Sequence, residues 1–206
     1  VLSNATLDNN YEVRLGLTTY NSYSAQTFPL TSHLGQGSMY GALDYAPVAF
    51  SKATGGTCGA CGLNEASRIL SGAVPAATTR KDGKAFSNRK MVVLLTDGAF
   101  KNSITGGHTS FPGSLDEAKA ECDDMHTKGY AVYSIFIGDV KGENGDGIID
   151  PAVNADYETH VKPTLEHCAT HNMEGKLQYY VAPDQETLEQ IFLTIAKNVQ
   201  SIRILE

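Results

Sequence analysis

A short apolar run that ends in Thr-Asp-Gly places the strongest constraint on the fold of this chain. Residues 91–95 are all hydrophobic, and Thr96, Asp97 and Gly98 follow at once. A continuous apolar run of this length is typical of a parallel strand that is covered on both faces. Such a strand places the Asp97 carboxylate at the carboxyl edge of a sheet, where open α/β folds bind their ligands.

A second oxygen donor precedes a predicted helix farther upstream. Thr57 stands before Cys-Gly-Ala-Cys-Gly-Leu, and the spacing of the apolar residues that follow predicts an amphipathic helix over residues 63–71. A hydroxyl and a carboxylate on one loop face suit a hard cation. Asp97 could instead cap a turn, since Asp-Gly is a common turn pair. Because Thr57 offers a second oxygen, we favour the metal interpretation.

Strands and helices alternate along the rest of the chain. The patterns predict strands over residues 11–20, 25–30, 91–96, 130–137 and 177–181, and helices over residues 40–52, 63–71, 114–128 and 163–169. Ser114 is the predicted cap of the third helix, Gly129 closes it, and Asp184 caps a final helix. This order predicts an α/β fold, a doubly wound, mostly parallel sheet with helices on both faces. We expect the 206 residues to form one domain.

Charge and motif content exclude several functions. The formal charge of −7 and the sequence pI near 5.3 argue against a nucleic-acid or anionic-membrane partner. No apolar run approaches the ~20 residues that span a bilayer. The sequence lacks the catalytic motifs of serine hydrolases and zinc proteases. It also lacks the phosphate-binding loop and the dinucleotide-binding fingerprint. We therefore expect a binding module and not an enzyme.

The four cysteines indicate disulfide bonds. Cys58 and Cys61 form a Cys-x-x-Cys motif that could be a redox motif, half of a zinc site or a small disulfide loop. Zinc is disfavoured because Cys122 and Cys168 are far from each other in sequence. Thioredoxin-like chemistry would need the motif to open a helix after a strand, with aromatic or proline residues nearby, and the Gly-Ala between the cysteines is unremarkable. We favour disulfides and an oxidising compartment, and the residues alone leave the pairing open.

Thr57 with Gly62-Leu63, followed by Asp97 in Thr-Asp-Gly, resembles the von Willebrand factor A (vWA) family. The metal-ion-dependent adhesion site (MIDAS) of that family uses an Asp-x-Ser-x-Ser loop, a distant Thr and a later Asp. The resemblance implies a site for Mg²⁺ or Mn²⁺, or for Ca²⁺, with Thr57 and Asp97 as ligands. An open coordination position would accept a carboxylate from a protein partner.

No Asp-x-Ser-x-Ser occurs in the 206 residues. In vWA domains this element ends the first, central strand, so the resemblance implies that a strand and helix of roughly 20 to 30 residues are missing from this sequence. A sheet that lacks its central strand leaves backbone groups unpaired. We expect this piece either upstream in the same polypeptide or from a second chain.

The C-terminal half resembles the vWA domains of bacterial pilus-assembly proteins of the tight-adherence (TadG-like) type. The likeness lies in Cys122 before residues 128–135, in residues 165–169, in Tyr179-Tyr180 and in residues 202–205. It implies a bridge between Cys122 and Cys168. It also implies an extracellular or pilus-associated cell-surface location, or alternatively a periplasmic one, with a protein ligand or other pilus subunits as partners.

An acidic, glycine-rich insertion at about residues 138–160 resembles the calcium loop of dockerin and EF-hand proteins. Ile148 would offer its backbone carbonyl, Gly147 permits the sharp turn, and the side-chain ligands would be Asn144, Asp146 and Asp150. Gly142 and Val153 occupy the two end positions and cannot act as side-chain ligands, although Asp139 or Glu143 could substitute. The alternative is an acidic surface loop without calcium.

Three functions follow from these observations. The leading one is a divalent-cation-dependent adhesion or protein-binding module of a bacterial pilus or cell-surface assembly. A second is a structural pilus subunit with a vestigial metal site. A third is a vWA subunit that serves an ATPase of the MoxR or chelatase kind, but such subunits work in the cytoplasm, where disulfides are unusual.

Overall fold

The computed structural model describes residues 15–20, 25–31, 57–73, 77–79, 85–87, 89–98, 113–138 and 157–201. The backbone divides into two compact units. The first unit comprises Val1–Lys90 and Phe100–Glu121, and the second comprises Met91–Ala99 and Cys122–Glu206. The predicted helix over residues 40–52 and the apolar end at 202–205 lie outside the described residues.

The first unit contains a hairpin and a helix that packs against it. Strands β1 (Leu15–Tyr20) and β2 (Ala25–Thr31) pair antiparallel, and helix α1 (Gly59–Ala73) contacts both. A Cβ atom placed on Gly62 would lie 2.5 Å from Cδ1 of Tyr20. Only a glycine therefore lets the first turn of α1 approach the hairpin this closely.

Two features of the first unit differ from the prediction. Helix α1 begins before residue 63 and continues through Gly72, because one glycine costs a helix only ~1 kcal/mol when the rest of the helix is packed. A second antiparallel hairpin, β3 (Ala77–Thr79) with β4 (Ala85–Ser87), was not predicted. Three-residue strands are too short to give a periodic signal.

The second unit contains a parallel three-stranded sheet in the order β5-β6-β7. Its strands are β5 (Met91–Thr96), β6 (Ala131–Ile137) and β7 (Tyr179–Ala182). Register pairs Thr96 with Phe136, and Phe136 with Val181. The carboxyl ends of the three strands therefore meet at one edge, as predicted.

Helices cover both faces of this sheet. Helix α4 (Gln185–Ser201) packs its buried residues Ile191 and Ile195 against Tyr133 and Ile135 of β6. Side chains alternate along a strand, so Phe136 lies on the opposite face. There its ring meets Tyr157 at 4.8 Å between centroids. Tyr157 opens a π-helical turn (Tyr157–Val161) that leads into α3 (Lys162–Cys168). The predicted α/β class is confirmed.

Helix α2 (Gly113–Thr127) is bounded nearly as predicted. Leu115, Ala118, Cys122 and Met125 are all buried on one face. Gly129 ends the helix at φ +74°, a conformation that favours glycine. The predicted capping role of Ser114 is wrong, because Ser114 is fully buried within the first turn and does not precede the helix.

None of the helices in the described parts of the chain is long and apolar enough to cross a membrane.

Candidate functional site

Asp97 lies at the carboxyl end of β5 with its side chain exposed to solvent. The turn that presents it is fixed by its buried neighbour Thr96. The Thr96 hydroxyl donates to the carbonyl of Gly98 at 2.9 Å and accepts from the Gly98 amide at 3.3 Å. This hydroxyl is therefore committed to the backbone, and the Asp97 carboxylate is the group that the turn offers to a ligand.

Thr57 lies two residues before helix α1 and is half-buried. The next residue, Cys58, occupies the capping position, and its carbonyl accepts from the Gly62 amide at 3.4 Å. Its sulfur accepts from the Cys61 amide at 3.2 Å. A side-chain acceptor bonded to the third helical amide is the geometry of a helix N-cap. Thr57 is therefore attached to a capped, covalently closed helix start.

The two candidate ligands belong to different units. Thr57 is part of the first and Asp97 part of the second. Within the described residues there is no cluster of three or more His, Cys, Asp or Glu side chains that could hold a metal ion. Hydroxyl and carboxylate oxygens suit Mg²⁺, which takes few protein ligands and keeps several waters. The donor chemistry fits a hard cation, and the two-residue ligand set stays a prediction.

The predicted calcium loop lies outside the described residues. Its five candidate ligands are Asp139, Asn144, Asp146, Ile148 and Asp150. The described chain reaches the loop at Gly138, whose φ of +151° favours glycine and whose amide donates to the Ala182 carbonyl at 3.0 Å. Pairing between β6 and β7 therefore continues to the residue where the insertion begins.

All four cysteines form disulfide bonds. Cys58 pairs with Cys61, with their Cα atoms 5.3 Å apart, and Cys122 pairs with Cys168, with their Cα atoms 5.0 Å apart. The second pairing is the one that the family resemblance implied. The first was among the alternatives for the Cys-x-x-Cys motif, and it opens a helix, which the sequence had not predicted.

A carboxylate at the same sheet edge as Asp97 has a structural role. Asp184 follows β7 and caps α4, since its Oδ1 accepts from the Thr187 amide at 2.7 Å. This backbone bond, with a further contribution from the Thr187 side chain, lowers the pKa of Asp184. The predicted cap is confirmed. Asp184 is committed to the helix, and it is a useful reference for Asp97.

Several polar side chains around β7 hydrogen-bond to one another. Gln178 accepts through Oε1 from the Tyr180 hydroxyl at 2.9 Å and from Nδ2 of Asn198 at 3.2 Å. The hydroxyls of Tyr157 and Tyr179 are hydrogen-bonded to each other. Two effects raise the pKa of Tyr179 far above its usual value: the larger is burial, and the next is the hydrogen bond with Tyr157. These bonds link β7 and the residue before it to helix α4 and to the π-helical turn.

Two contributors to the site geometry were not found from sequence. Thr96 was assigned only to the strand, although a hydroxyl two residues before a glycine at a strand end is a known turn signal. Cys58 was considered as a redox, zinc-binding or disulfide cysteine and not as a helix cap, because sulfur is not among the common N-cap acceptors. Had the helix been predicted to begin at Gly59 and not at residue 63, Cys58 would have been recognised as the residue in the capping position.

Comparisons with known proteins agree with this architecture. The crystal structure of the pilus adhesin SpaC from Lactobacillus rhamnosus GG has a similar fold, with a TM-score of 0.53 and 18% sequence identity. The match covers 90% of this chain and 25% of that chain, so this chain spans about a quarter of the adhesin's length. No curated protein matches the sequence. The family model of the von Willebrand factor type A domain matches residues 1–192, and the chain therefore belongs to the vWA family.

Proposed function

We propose that this chain is a divalent-cation-dependent protein-binding module of a bacterial pilus or cell-surface assembly. The observation that carries the proposal is the exposed Asp97 carboxylate at the carboxyl end of the parallel strand β5, in a chain of the vWA family. Thr57 supplies a hydroxyl oxygen to the same cation. The cation, Mg²⁺ or Mn²⁺ with Ca²⁺ as the alternative, supplies an open coordination position for a carboxylate of the partner.

A surface or pilus location agrees with the covalent structure. Both disulfides require an oxidising compartment, which the cell exterior and the periplasm provide and the cytoplasm does not. The structural neighbour SpaC is a pilus adhesin. By the same reasoning, the bridges argue against a cytoplasmic subunit of a MoxR or chelatase-type ATPase.

One observation favours a second candidate, a structural pilus subunit with a vestigial metal site. Within the described residues no cluster of three metal-binding side chains is present. The two candidates differ in their response to a chelator. Removing the cation abolishes partner binding by an adhesion module, whereas it leaves subunit assembly unchanged in the structural case.

Matched asparagine variants test the cation ligands. Asp97→Asn removes an exposed carboxylate, and Asp184→Asn removes another from the same sheet edge while keeping a good helix cap. Calorimetric titration of the native chain with Mn²⁺ should show at least about tenfold weaker binding for Asp97→Asn. The affinity of Asp184→Asn should equal that of the wild type. Equal effects of the two variants would show that Asp97 is not a ligand.

A second pair of variants tests Thr57. Thr57→Val keeps the shape of the side chain and removes its hydroxyl, whereas Thr57→Ser keeps the hydroxyl. We expect Thr57→Val to weaken Mn²⁺ binding and Thr57→Ser to preserve it, because the oxygen is the donor. If the wild-type chain binds neither Mg²⁺ nor Mn²⁺, the structural alternative replaces the adhesion module.

A further inference from the structure

The bridge between Cys58 and Cys61 differs from the other bridge in its surroundings. Cys58 is fully buried, while Cys61 is partly exposed at the surface of α1. In the bridge between Cys122 and Cys168, both residues are fully buried. An attacking thiolate must reach a sulfur directly. Any attack on the first bridge must therefore come from the Cys61 side, whereas the second bridge is buried on both sides.

The start of α1 stabilises the sulfur that such an attack would release. Sγ of Cys58 already accepts a hydrogen bond from the Cys61 amide at 3.2 Å. A helix N-terminus lowers the pKa of a thiol because its free amides favour negative charge. The first turn of α1 carries no acidic residue that would oppose that charge. Since a more stable thiolate is a better leaving group, the geometry favours cleavage with Cys58 departing.

We propose that the Cys58–Cys61 bridge is a reversible thiol–disulfide exchange site that reacts through Cys61, while the Cys122–Cys168 bridge is structural. The reaction partner is a dithiol, either a small molecule or a protein. This inference does not depend on the proposed cation site, because it concerns the sulfur atoms alone.

The exchange proceeds in two steps. A thiolate of the dithiol attacks Sγ of Cys61, the bond between Cys61 and Cys58 breaks, and Cys58 leaves as a thiolate with the electron pair. The second thiol of the partner, as its thiolate, then attacks the partner sulfur of the mixed disulfide and releases Cys61 as a thiolate, which takes a proton from water. The bridge gains two electrons, and the dithiol becomes a disulfide.

The short distance between the two cysteines lets the bridge form again after reduction. The two Cα atoms are only 5.3 Å apart within one helical turn. The thiols therefore stay within reach of each other after reduction.

Selective reduction of the wild-type chain tests the site. The native protein is treated with low concentrations of dithiothreitol, alkylated at intervals, and analysed by peptide mass spectrometry. We expect alkylation of Cys58 and Cys61 at least about tenfold faster than alkylation of Cys122 and Cys168. Equal rates for the two bridges, or faster reduction of the Cys122–Cys168 bridge, would overturn the proposal.

Single-cysteine variants test the side of attack. Cys58→Ser leaves Cys61 as the free thiol, and Cys61→Ser leaves Cys58. An aromatic disulfide reagent should react at least about tenfold faster with Cys58→Ser, because its free thiol is the exposed one. Both variants are first checked for native circular dichroism. Equal or reversed rates in folded variants would refute attack through Cys61. If either variant fails to fold, the wild-type reduction experiment alone decides the proposal.

Discussion

Replacing Gly62 with alanine tests how closely helix α1 packs against the hairpin. The new Cβ would lie 2.5, 2.9 and 3.1 Å from three carbons of the Tyr20 ring. Ordinary carbon contacts lie at about 3.5–4.0 Å, so the ring or the helix must move by roughly 1 Å. Overpacking of this kind costs about 1–3 kcal/mol. We expect Gly62→Ala to lower the free energy of unfolding despite its better helix propensity.

Gly72 provides the matched control in the same helix. A Cβ on Gly72 meets nothing within 4 Å, and Gly72 is exposed. Gly72→Ala should therefore stabilise the chain by about 0.5–1 kcal/mol. The propensity gain is common to both variants, so the difference between them isolates the steric cost of about 1–3 kcal/mol.

Urea unfolding followed by circular dichroism measures both variants against the wild type. The double variant Gly62→Ala with Tyr20→Leu completes a mutant cycle, and its coupling energy should be favourable because the leucine removes the ring that clashes. The packing argument is refuted if Gly62→Ala is as stable as Gly72→Ala, or if the coupling energy is zero.

Two further predictions concern a covalent bond and a helix cap. Replacing Cys122 and Cys168 together with alanine should cost about 4 kcal/mol in urea unfolding, because the bridge closes a loop with a sequence separation of 46 residues; a loss below about 1 kcal/mol would contradict this. Asp184→Ala should lower the melting temperature at neutral pH by roughly 2–4 °C, and Asp184→Asn by less. The native pKa of Asp184 lies below 3.8, so its stabilisation is present above that pH and is lost as pH falls through the native pKa. The melting curves of wild type and Asp184→Ala should therefore converge as the pH falls through the native pKa of Asp184, and a constant difference would count against the cap.

The elements that sequence predicted correctly have strong local signals. Strand β5 was bounded correctly because an apolar run marks its length and a Thr-Asp-Gly turn marks its end, although Met91, Val93 and Leu95 are only partly buried. Helix α4 has a capping aspartate and apolar residues at helical spacing. In each case the residues of one short segment determine where the element begins and ends, so the prediction needed no contact between distant residues.

The features that sequence did not predict depend on contacts between distant residues. The start of α1 at Gly59 is stabilised by a disulfide and by the sulfur cap of Cys58. The packing of Gly62 becomes visible only when the ring of Tyr20 lies opposite. The pairing of Cys122 with Cys168 joins two helices that the chain separates by 46 positions, and only the family resemblance indicated it.

The candidate site divides in the same way. Residue type and position in the chain identified Thr57 and Asp97, because hydroxyl and carboxylate donors before a helix and after a strand are local features. The exposure of Asp97 follows from the turn that Thr96 closes. Whether the two oxygens share one cation depends on long-range geometry, which periodicity and motif spacing do not encode.

Different local interactions hold the two candidate ligands, so reduction of the Cys58–Cys61 bridge should affect them differently. Thr57 is joined by one peptide bond to Cys58, whose sulfur both caps α1 and forms the exchange-prone bridge. Asp97 is held by the hydroxyl of Thr96, which involves no sulfur. We therefore predict that reduction of the bridge disturbs the backbone next to Thr57 and leaves the Thr96–Gly98 turn that presents Asp97 unchanged.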